Sequence, residues 1–213
     1  MAPAPPVPRD DGNVVGNVYD KYGTRNPIAQ LLMRGFLDAV TSLVRSTTPR
    51  RVLEVGCGEG RLADHLARAV PSIERISACD LSLAELASGL EPRIEFHEAS
   101  IYALPHEAGS FDTVVCCEVL EHLSDPAAGL AELARVARTA VVVSTPREPM
   151  WRALNMARGK YLRALGNTPG HVQHFSRRAL VGLVARRLEV EAVRAPLPWT
   201  VVLARPRSGA HAA

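Results

Sequence analysis

The sequence is short of aromatic residues and cysteine, and it lacks long apolar runs. Phe, Trp and Tyr make up 5% of the 213 residues, and the four cysteines, Cys57, Cys79, Cys116 and Cys117, form no C-x-x-C pair. No apolar run reaches the ~20 residues that cross a bilayer. A net charge of +3 is too small to indicate nucleic acid by itself. The composition therefore predicts no membrane association, no zinc and no disulfides, with buried thiols in a reducing cytoplasm.

The two ends of the chain differ in composition from its middle. The start is rich in proline, without a basic segment followed by an apolar one, so it does not resemble a signal peptide. We expect disordered tails at 1–13 and 206–213, and an N-terminal lid with a helix at 14–50. A single main domain is expected over 51–205, with a substrate lid at 145–175.

The segment from Arg51 to Gly60, RVLEVGCGEG, is the most informative part of the chain. Its apolar start is typical of a strand buried on both faces. Three glycines then fall on alternate positions, and a helix is predicted from about Gly60. Glycines let the backbone turn sharply and let a ligand approach closely. The segment predicts a site for a nucleotide-like cofactor, the alternative being a tight turn that binds nothing.

The spacing of the glycines narrows the choice of cofactor. A dinucleotide fingerprint is G-x-G-x-x-G, and Arg61 stands where its third glycine would be. Glu54, just before the loop, would repel a pyrophosphate and would suit an ammonium group. S-adenosylmethionine has an ammonium group, a ribose and no phosphate, so the loop favours this cofactor.

The order of predicted elements indicates an α/β fold. Strands are expected at 51–55, 73–79, 94–97, 113–116, 140–144, 188–193 and 199–204. Helices are expected from Asn26, over 60–70, from Ser82, over 126–136 and from Ser176. Such alternation is typical of a parallel sheet with helices on both faces. The link Pro196–Pro198 is too short for a crossover, so the last two strands should pair antiparallel. Ligands of these sheets bind beyond the carboxyl ends of the strands.

Three segments resemble the class I S-adenosylmethionine-dependent methyltransferases of the small-molecule type. They are VLEVGCGEG from Val52, ACDLS from Ala78, and FDTVVCCEVLEHL from Phe111. The likeness extends over about 52–204. It implies a Rossmann-like, seven-stranded sheet in which only the last strand is antiparallel, and a transferase that uses S-adenosylmethionine.

The resemblance also implies roles for individual residues. Asp80 would accept both ribose hydroxyls, with a helix-capping carboxylate as the alternative. Leu81 would pack on the adenine. Relatives usually have Asp where Ser100 stands, so adenine recognition here would rely on backbone groups or water. The full set of implied cofactor-binding residues is Glu54, Gly56, Cys57, Gly58, Gly60, Asp80, Leu81, Ser100, Ile101, Glu118 and Val119.

The long interval 145–175 is predicted to cover the substrate. Its central part, 149–165, is predicted to be one helix with Trp151, Asn155 and Arg158 near a common face, where these residues are expected to contact the substrate. A charge within an apolar stripe must be paired or face a ligand, so Arg158 is expected to form an internal ion pair or to bind an anionic substrate group. Tyr22, before the first helix, is a further candidate to close the pocket.

Three histidines are candidates for proton transfer. His171 and His174 follow the lid, and either could take a hydroxyl proton because imidazole titrates near neutral pH. The segment from Phe111 to Leu123, which contains the fourth predicted strand, is called the strand-four motif below. Its His122 could be a base or a structural hydrogen-bonding residue. A two-histidine metal site lacks an evident third ligand, so no metal is expected.

The predicted reaction is methyl transfer to a small molecule, with O-methylation ahead of N- or C-methylation. Two further hypotheses are an RNA or protein methyltransferase and a cofactor-binding protein without catalysis. The low charge and the scarcity of aromatics count against RNA. A monomer or homodimer is expected.

Overall fold

The computed structural model describes residues 26–159, 161–168 and 170–207. The strands are β1 (Arg51–Val55), β2 (Arg75–Asp80), β3 (Ile94–Glu98), β4 (Phe111–Cys117), β5 (Ala137–Pro146), β6 (Leu188–Arg194) and β7 (Trp199–Pro206). The helices are α1 (Pro27–Ser46), α2 (Arg61–Ala69), α3 (Pro126–Val136), α4 (Met150–Ala157) and α5 (Arg177–Ala185). Three predictions lie outside the described residues: the tail at 1–13, the lid segment at 14–25 with Tyr22, and the tail at 208–213.

The seven strands form one sheet in the order β3-β2-β1-β4-β5-β7-β6. The pairs from β3 to β5 are parallel, and β7 runs antiparallel to both β5 and β6. The predicted α/β fold with one antiparallel strand is confirmed. The strand order reverses between β1 and β4, where ligands of such sheets bind.

The sheet is buried on both faces, and β4 shows how. Val114 and Cys116 belong to the core under α3 and α5, whereas Val115 and Cys117 pack toward α1 and α2. Successive strand residues point to opposite faces. The apolar runs seen in the sequence therefore serve two cores at once, as expected of a parallel sheet covered by helices.

Helix α1 begins and packs as its sequence predicts. The side chain of Asn26 accepts hydrogen bonds from the backbone N–H groups of Ile28 and Ala29, and Pro27 occupies the first helical position. Phe36 and Val40 are buried against the sheet. In the described part of the chain, no helix has the length and hydrophobicity needed to cross a membrane.

The helix predicted from Ser82 is absent, since residues 81–90 form turns. Side chains there occupy the backbone donors: Ser82 Oγ accepts from Ala84 N at 3.3 Å, and Glu98 Oε1 accepts from Leu83 N at 3.3 Å. Such local bonds compete with helical ones, and Gly89 at φ +72° lies near the end of the segment. The prediction of a helix there was wrong.

The lid helix is also shorter than predicted. Helix α4 ends at Ala157 rather than continuing to Leu165, because Gly159, Tyr161 and Leu165 have positive φ angles that a right-handed helix does not allow. A single turn of 3-10 helix at Leu162–Ala164 follows. The prediction that Arg158 lies in the apolar stripe assumed an uninterrupted helix over 149–165.

At the amino end of the sheet, a buried carboxylate joins three segments. Asp112 Oδ2 accepts from the backbone N–H groups of Arg50 and Arg51 at 2.8 and 2.9 Å, and Oδ1 pairs with the guanidinium of Arg138. Burial raises the pKa of Asp112, but the two backbone donors and Arg138 outweigh it, so the net pKa is lowered. These bonds of Asp112 fix β1 beside β4 at the end of the sheet opposite the glycine loop.

We predict that Asp112→Asn lowers the free energy of unfolding at neutral pH by about 2 kcal/mol, since buried donors lose a charged acceptor. Stability from a carboxylate with a lowered pKa is present above its unfolded-state pKa and is lost as pH falls through the folded value. The difference between wild type and variant should therefore shrink in acid. Urea unfolding at several pH values measures it, with the exposed Glu107→Gln as control. An equal difference at all pH values would contradict the prediction.

Candidate functional site

The glycine loop between β1 and α2 has a backbone that other residues adopt with strain. Gly56, Gly58 and Gly60 have φ angles of +79°, +50° and +74°. Gly56 N and Cys57 N both donate to Cys79 O, at 2.8 and 3.0 Å, which ties the loop to the end of β2. A Cβ on Gly56 would lie 2.2 Å from Val119 Cγ2. The loop is therefore shaped by close contact with the segment after β4.

Glu54 lies in β1 directly before this loop and is 3% exposed. The backbone N–H of Ala63 donates to its carboxylate, and among the described residues Oε2 has no hydrogen-bond partner. Burial raises the pKa of Glu54 to about 8, with a further contribution from the charge of Asp80. A buried acceptor without a partner is suited to an N–H donor of a ligand.

Asp80 ends β2 and faces the same loop. Its Oδ2 accepts from Gly58 N at 2.8 Å, and its Oδ1 accepts from Leu81 N at 2.7 Å. Each carboxylate oxygen retains a lone pair for a hydroxyl of a ligand. Leu81 is 40% exposed beside it and can cover an apolar ring. The positions implied for the ribose and adenine are thus adjacent.

Ser100 and Ile101, which the resemblance implies for adenine binding, differ in the groups that they can offer to a ligand. Ile101 is buried in the core under α3, where Gly129 is in close contact with it. Only its main chain can therefore meet a ligand. Ser100 Oγ accepts from Tyr102 N at 3.3 Å. The pair adjoins the end of β3, beyond Asp80.

Glu118 follows β4 in the left-handed region, at φ +62°, which is unusual for a residue with a side chain. Its carboxylate accepts from Trp199 Nε1 at 2.6 Å and from Ser144 Oγ at 3.0 Å. Its backbone N–H donates to Ser144 O at 3.1 Å. The side chain is thus held by β5 and β7, and the turn that it stabilises places Val119 over Gly56.

The lid folds back on α4 through polar side chains. Asn155, 1% exposed, donates from Nδ2 to Gly166 O at 2.9 Å and to Thr168 Oγ1 at 3.2 Å. Trp151 Nε1 also donates to Thr168 Oγ1, at 2.9 Å. These bonds fix the turn at 166–168 against the helix. Asn155 and Trp151 therefore serve the lid itself in this structure.

Arg158 lies at the carboxyl end of α4 and is exposed. Its guanidinium donates to Asn155 Oδ1 and to Leu154 O. The two predicted alternatives were an internal ion pair and an anionic ligand. Within the described residues its hydrogen-bond partners are neutral oxygens of its own helix and not an acidic group, and binding of an anionic substrate group stays a prediction.

The lid meets the strand-four motif at two of the predicted histidines. The rings of His122 and His171 are in edge-to-face contact, with centroids 4.9 Å apart, and His122 Nδ1 lies 2.9 Å from Gly170 O. A carbonyl only accepts, so Nδ1 carries the proton and Nε2 of neutral His122 is a proton acceptor. Val172 N and Gln173 N donate to Glu121 O at 3.0 and 2.9 Å.

His174 is placed differently from the other two histidines. It is exposed and lies beyond the ring contact between His122 and His171. From the sequence alone, His171 and His174 were equal candidates for the general base, because both follow the same turn. Only His171 is brought against the strand-four motif.

Glu121 joins the two histidines in a group that could hold a metal ion. Ligand atoms of Glu121, His122 and His171 lie within 4.8 Å of one another. Two imidazoles and a carboxylate form a ligand set that divalent metals accept. The sequence considered a metal site only for the two histidines after the lid. The group found here joins His171 to His122 and Glu121, which lie about 50 positions earlier in the chain.

Comparison with known proteins agrees with this geometry. Residues 53–143 match the family described as "Methyltransferase domain". Residues 53–143 thus form a methyltransferase domain of this family. The matched segment includes the glycine loop, Asp80 and the strand-four motif, and it ends before the lid.

The matches to individual relatives cover only part of each relative's length. A ubiquinone biosynthesis O-methyltransferase of Paracidovorax citrulli is 40% identical over 113 residues, which cover 50% of this chain and 45% of that protein. A probable S-adenosylmethionine-dependent methyltransferase of Mycobacterium tuberculosis is 40% identical over 101 residues, covering 46% and 36%. The chain thus spans less than half the length of these curated relatives.

Among solved structures, similarity extends over most of the fold. Magnesium protoporphyrin IX methyltransferase of Synechocystis, solved with bound S-adenosylhomocysteine, superposes with a TM-score of 0.63 at 18% identity. The match covers 86% of this chain and 89% of that one. At this identity the likeness concerns the fold.

The residues of this methyltransferase domain fit S-adenosylmethionine. The glycine loop leaves no room for a Cβ at Gly56, Asp80 offers two oxygens, and the buried Oε2 of Glu54 suits an ammonium group. The thiols around the loop are not reactive groups, since burial raises the pKa of Cys79 to about 12 and that of Cys57 further. These acceptor oxygens suit a ligand with an ammonium group, ribose hydroxyls and no phosphate.

Two residues of the site were missed by sequence reasoning. Trp199 supports Glu118, and Thr168 is the common acceptor for Trp151 and Asn155. The only signal for Trp199 was that it is one of two tryptophans in the chain. Its distance from Trp151 in sequence gives no indication of their contact.

We predict that Gly56→Ala lowers both stability and affinity for S-adenosylhomocysteine. The new Cβ would meet Val119, and a non-glycine residue at positive φ costs about 1–2 kcal/mol. Adding Val119→Ala should restore the steric part alone. Thermal unfolding and calorimetry measure both effects. Gly35→Ala in α1, where a Cβ meets nothing within 4 Å, is the matched control and should be neutral or stabilising.

We also predict that cofactor binding is linked to ionisation of Glu54. With its pKa raised to about 8, Glu54 is protonated at neutral pH, and an adjacent ammonium favours the carboxylate. Binding of S-adenosylhomocysteine should therefore release a proton at neutral pH, and affinity should rise with pH toward 8. Calorimetry in two buffers of different ionisation enthalpy measures the proton.

Glu54→Gln is the matched variant for this linkage. It should bind without releasing that proton. Stability from a group with a raised pKa is present below its unfolded-state pKa and is lost as pH rises through the folded value. The variant should therefore lose less stability than wild type between neutral pH and pH 9. Proton release that persists in Glu54→Gln would assign the linkage to another group.

Proposed function

We propose that the chain transfers a methyl group from S-adenosylmethionine to a hydroxyl of a small molecule. The observation that carries the proposal is the contact of His122 and His171 where the lid meets the strand-four motif. It brings two proton-accepting rings to the carboxyl edge of the sheet, the edge that bears the glycine loop. The naming of several relatives as ubiquinone biosynthesis O-methyltransferases supports the choice of oxygen.

Residues of the loop and of strand ends bind and orient the donor in this proposal. When bound, S-adenosylmethionine supplies a methyl group on a positively charged sulfur. Glu54 accepts from the ammonium group, Asp80 accepts from the ribose hydroxyls, and Val119 closes the loop from above. Such positioning provides much of the rate enhancement in a transfer between two bound molecules.

The lid and the histidines act on the acceptor. A neutral ring nitrogen of His171 takes the proton of the acceptor hydroxyl, and His122 Nε2 beside it is a second proton acceptor. The backbone N–H groups of Val172 and Gln173 donate to Glu121 O, and these bonds hold the lid over this point and exclude water. The basic side chains of the lid, Arg147, Arg152 and Arg163, favour an acceptor with an acidic group.

The acceptor class can be tested directly. Methyl groups labelled in S-adenosylmethionine should appear in phenolic acceptors such as 3,4-dihydroxybenzoate, rather than in amines or in RNA. Label in an amine or a carbon position would favour an N- or C-methyltransferase. Label in RNA or protein would favour a macromolecular substrate, and cofactor binding without transfer to any pool would indicate a non-catalytic protein.

We predict that His171→Gln lowers kcat on the accepted phenol by about 100-fold, because general-base catalysis is lost. Affinity for S-adenosylhomocysteine should stay within about 2-fold, since the cofactor residues are unchanged. His174→Gln is the matched control and should retain turnover.

Two outcomes would contradict the base assignment. Full turnover of His171→Gln would reject His171, and a loss confined to His174→Gln would move the role to that exposed residue. Activity removed by a chelator and restored by zinc would assign Glu121, His122 and His171 to a metal ion instead of to proton transfer.

A further inference from the structure

A row of aromatic rings connects the cofactor side of the site with the lid. Trp199 contacts Trp151, with ring centroids 6.0 Å apart and planes at 50°. Trp151 in turn stacks on His171, with centroids 6.5 Å apart and planes at 23°. The latter value is at the outer end of the range for attractive ring pairs, in an offset arrangement.

Both tryptophans of this row are held by hydrogen bonds of their indole N–H groups. Trp199 Nε1 donates to Glu118, and Trp151 Nε1 donates to Thr168 Oγ1. Thr168 also accepts, through its carbonyl, the backbone N–H of His171 at 3.1 Å. Trp151 therefore holds His171 in two ways: by its ring face, and by the residue that anchors the His171 backbone.

The two ends of the row, His171 and Trp199, are also joined to each other through the strand-four motif. His171 contacts His122, which follows Glu118 by four residues, and Glu118 is the acceptor for Trp199. In addition to the backbone bonds to Glu121 O, two connections between rings thus join the strand-four motif to the lid. One runs through the histidine rings and the other through the two tryptophans. A ring held from both sides has less freedom to rotate than one held from a single side.

We propose that Trp151 is a positioning residue that sets the orientation of His171 relative to the strand-four motif. The inference rests on the proposed function, in which His171 takes the acceptor proton. This role differs from the sequence prediction that Trp151 contacts the substrate. The indole N–H is committed to Thr168, and its ring lies between Trp199 and His171.

The groups that face His171 come from each element packed on it. His122 meets its ring edge from the strand-four motif, Trp151 meets its face from α4, and Glu121 brings a buried carboxylate near its ligand atoms. Two of the three can carry charge. Rotation of the imidazole would change its distance from both, so misplacement should alter the pH dependence of turnover as well as the rate.

The test separates the ring of Trp151 from its N–H group. Trp151→Phe keeps an aromatic face and removes the donor, Thr168→Val removes the acceptor of the same bond, and Trp151→Leu removes ring and donor together. We expect kcat on the phenolic acceptor to fall by about 5-fold in the first two variants. Their double variant should lose no more than Thr168→Val alone, because that variant already removes the Trp151 bond together with the bond from Asn155.

Trp151→Leu should lower kcat by about 50-fold, within the range seen when a base is misplaced. It should also shift the midpoint of the pH profile and move the His171 Cε1–H resonance in NMR spectra of the protein without acceptor. Trp151→Phe should partly rescue all three readouts. Affinity for S-adenosylhomocysteine should be unchanged. Met156→Leu, on the exposed side of α4, is the control.

Three results would overturn the inference. An unchanged His171 resonance and pH profile in Trp151→Leu would remove the positioning role. A raised KM with unchanged kcat in Trp151→Leu would show that Trp151 binds the substrate and does not position His171. A loss of cofactor affinity in step with kcat would indicate general unfolding of the site. If His171→Gln keeps full turnover, the proposed function fails instead, while the resonance shift still reports whether Trp151 orients the ring.

Discussion

The close approach of Val119 to Gly56 is the constraint on which the rest of the site depends. Any side chain at Gly56 would overlap Val119 Cγ2, so the loop after β1 and the turn after β4 determine each other's position. The loop is further tied to the end of β2 through Cys79 O and Asp80. Three strand ends are thus fixed relative to one another before any ligand binds, at the point where the strand order reverses.

The turn at Glu118 extends this constraint to the opposite half of the sheet. Its left-handed backbone is unfavourable for a residue with a side chain, and its bonds to Trp199 and Ser144 compensate for that cost. Trp199 lies in the antiparallel strand and contacts the lid through Trp151. The cofactor half and the lid half of the site therefore share one supporting residue.

The buried carboxylates of the protein act in different ways because their surroundings differ. Asp112 receives two backbone donors and a guanidinium, so its pKa is lowered and it remains charged. Glu54 receives one backbone donor in a fully buried place beside another acid, so its pKa is raised. The first stabilises the fold at neutral pH, and the second is protonated until a cation approaches. Residue type alone does not distinguish them.

The sequence by itself determined the sheet, its antiparallel last strand, the glycine loop and the cofactor class. Each of these depends on local patterns: apolar runs, glycine spacing, and a carboxylate at a strand end. The absent helix at Ser82 and the early end of α4 depend on competing side-chain bonds and positive φ angles, which periodicity does not report. Only the tertiary structure brought Glu121, His122 and His171 together and placed Trp151 between His171 and Trp199. Contacts between residues some 50 positions apart depend on how the lid folds back over the sheet, and that path is set by packing rather than by any one segment.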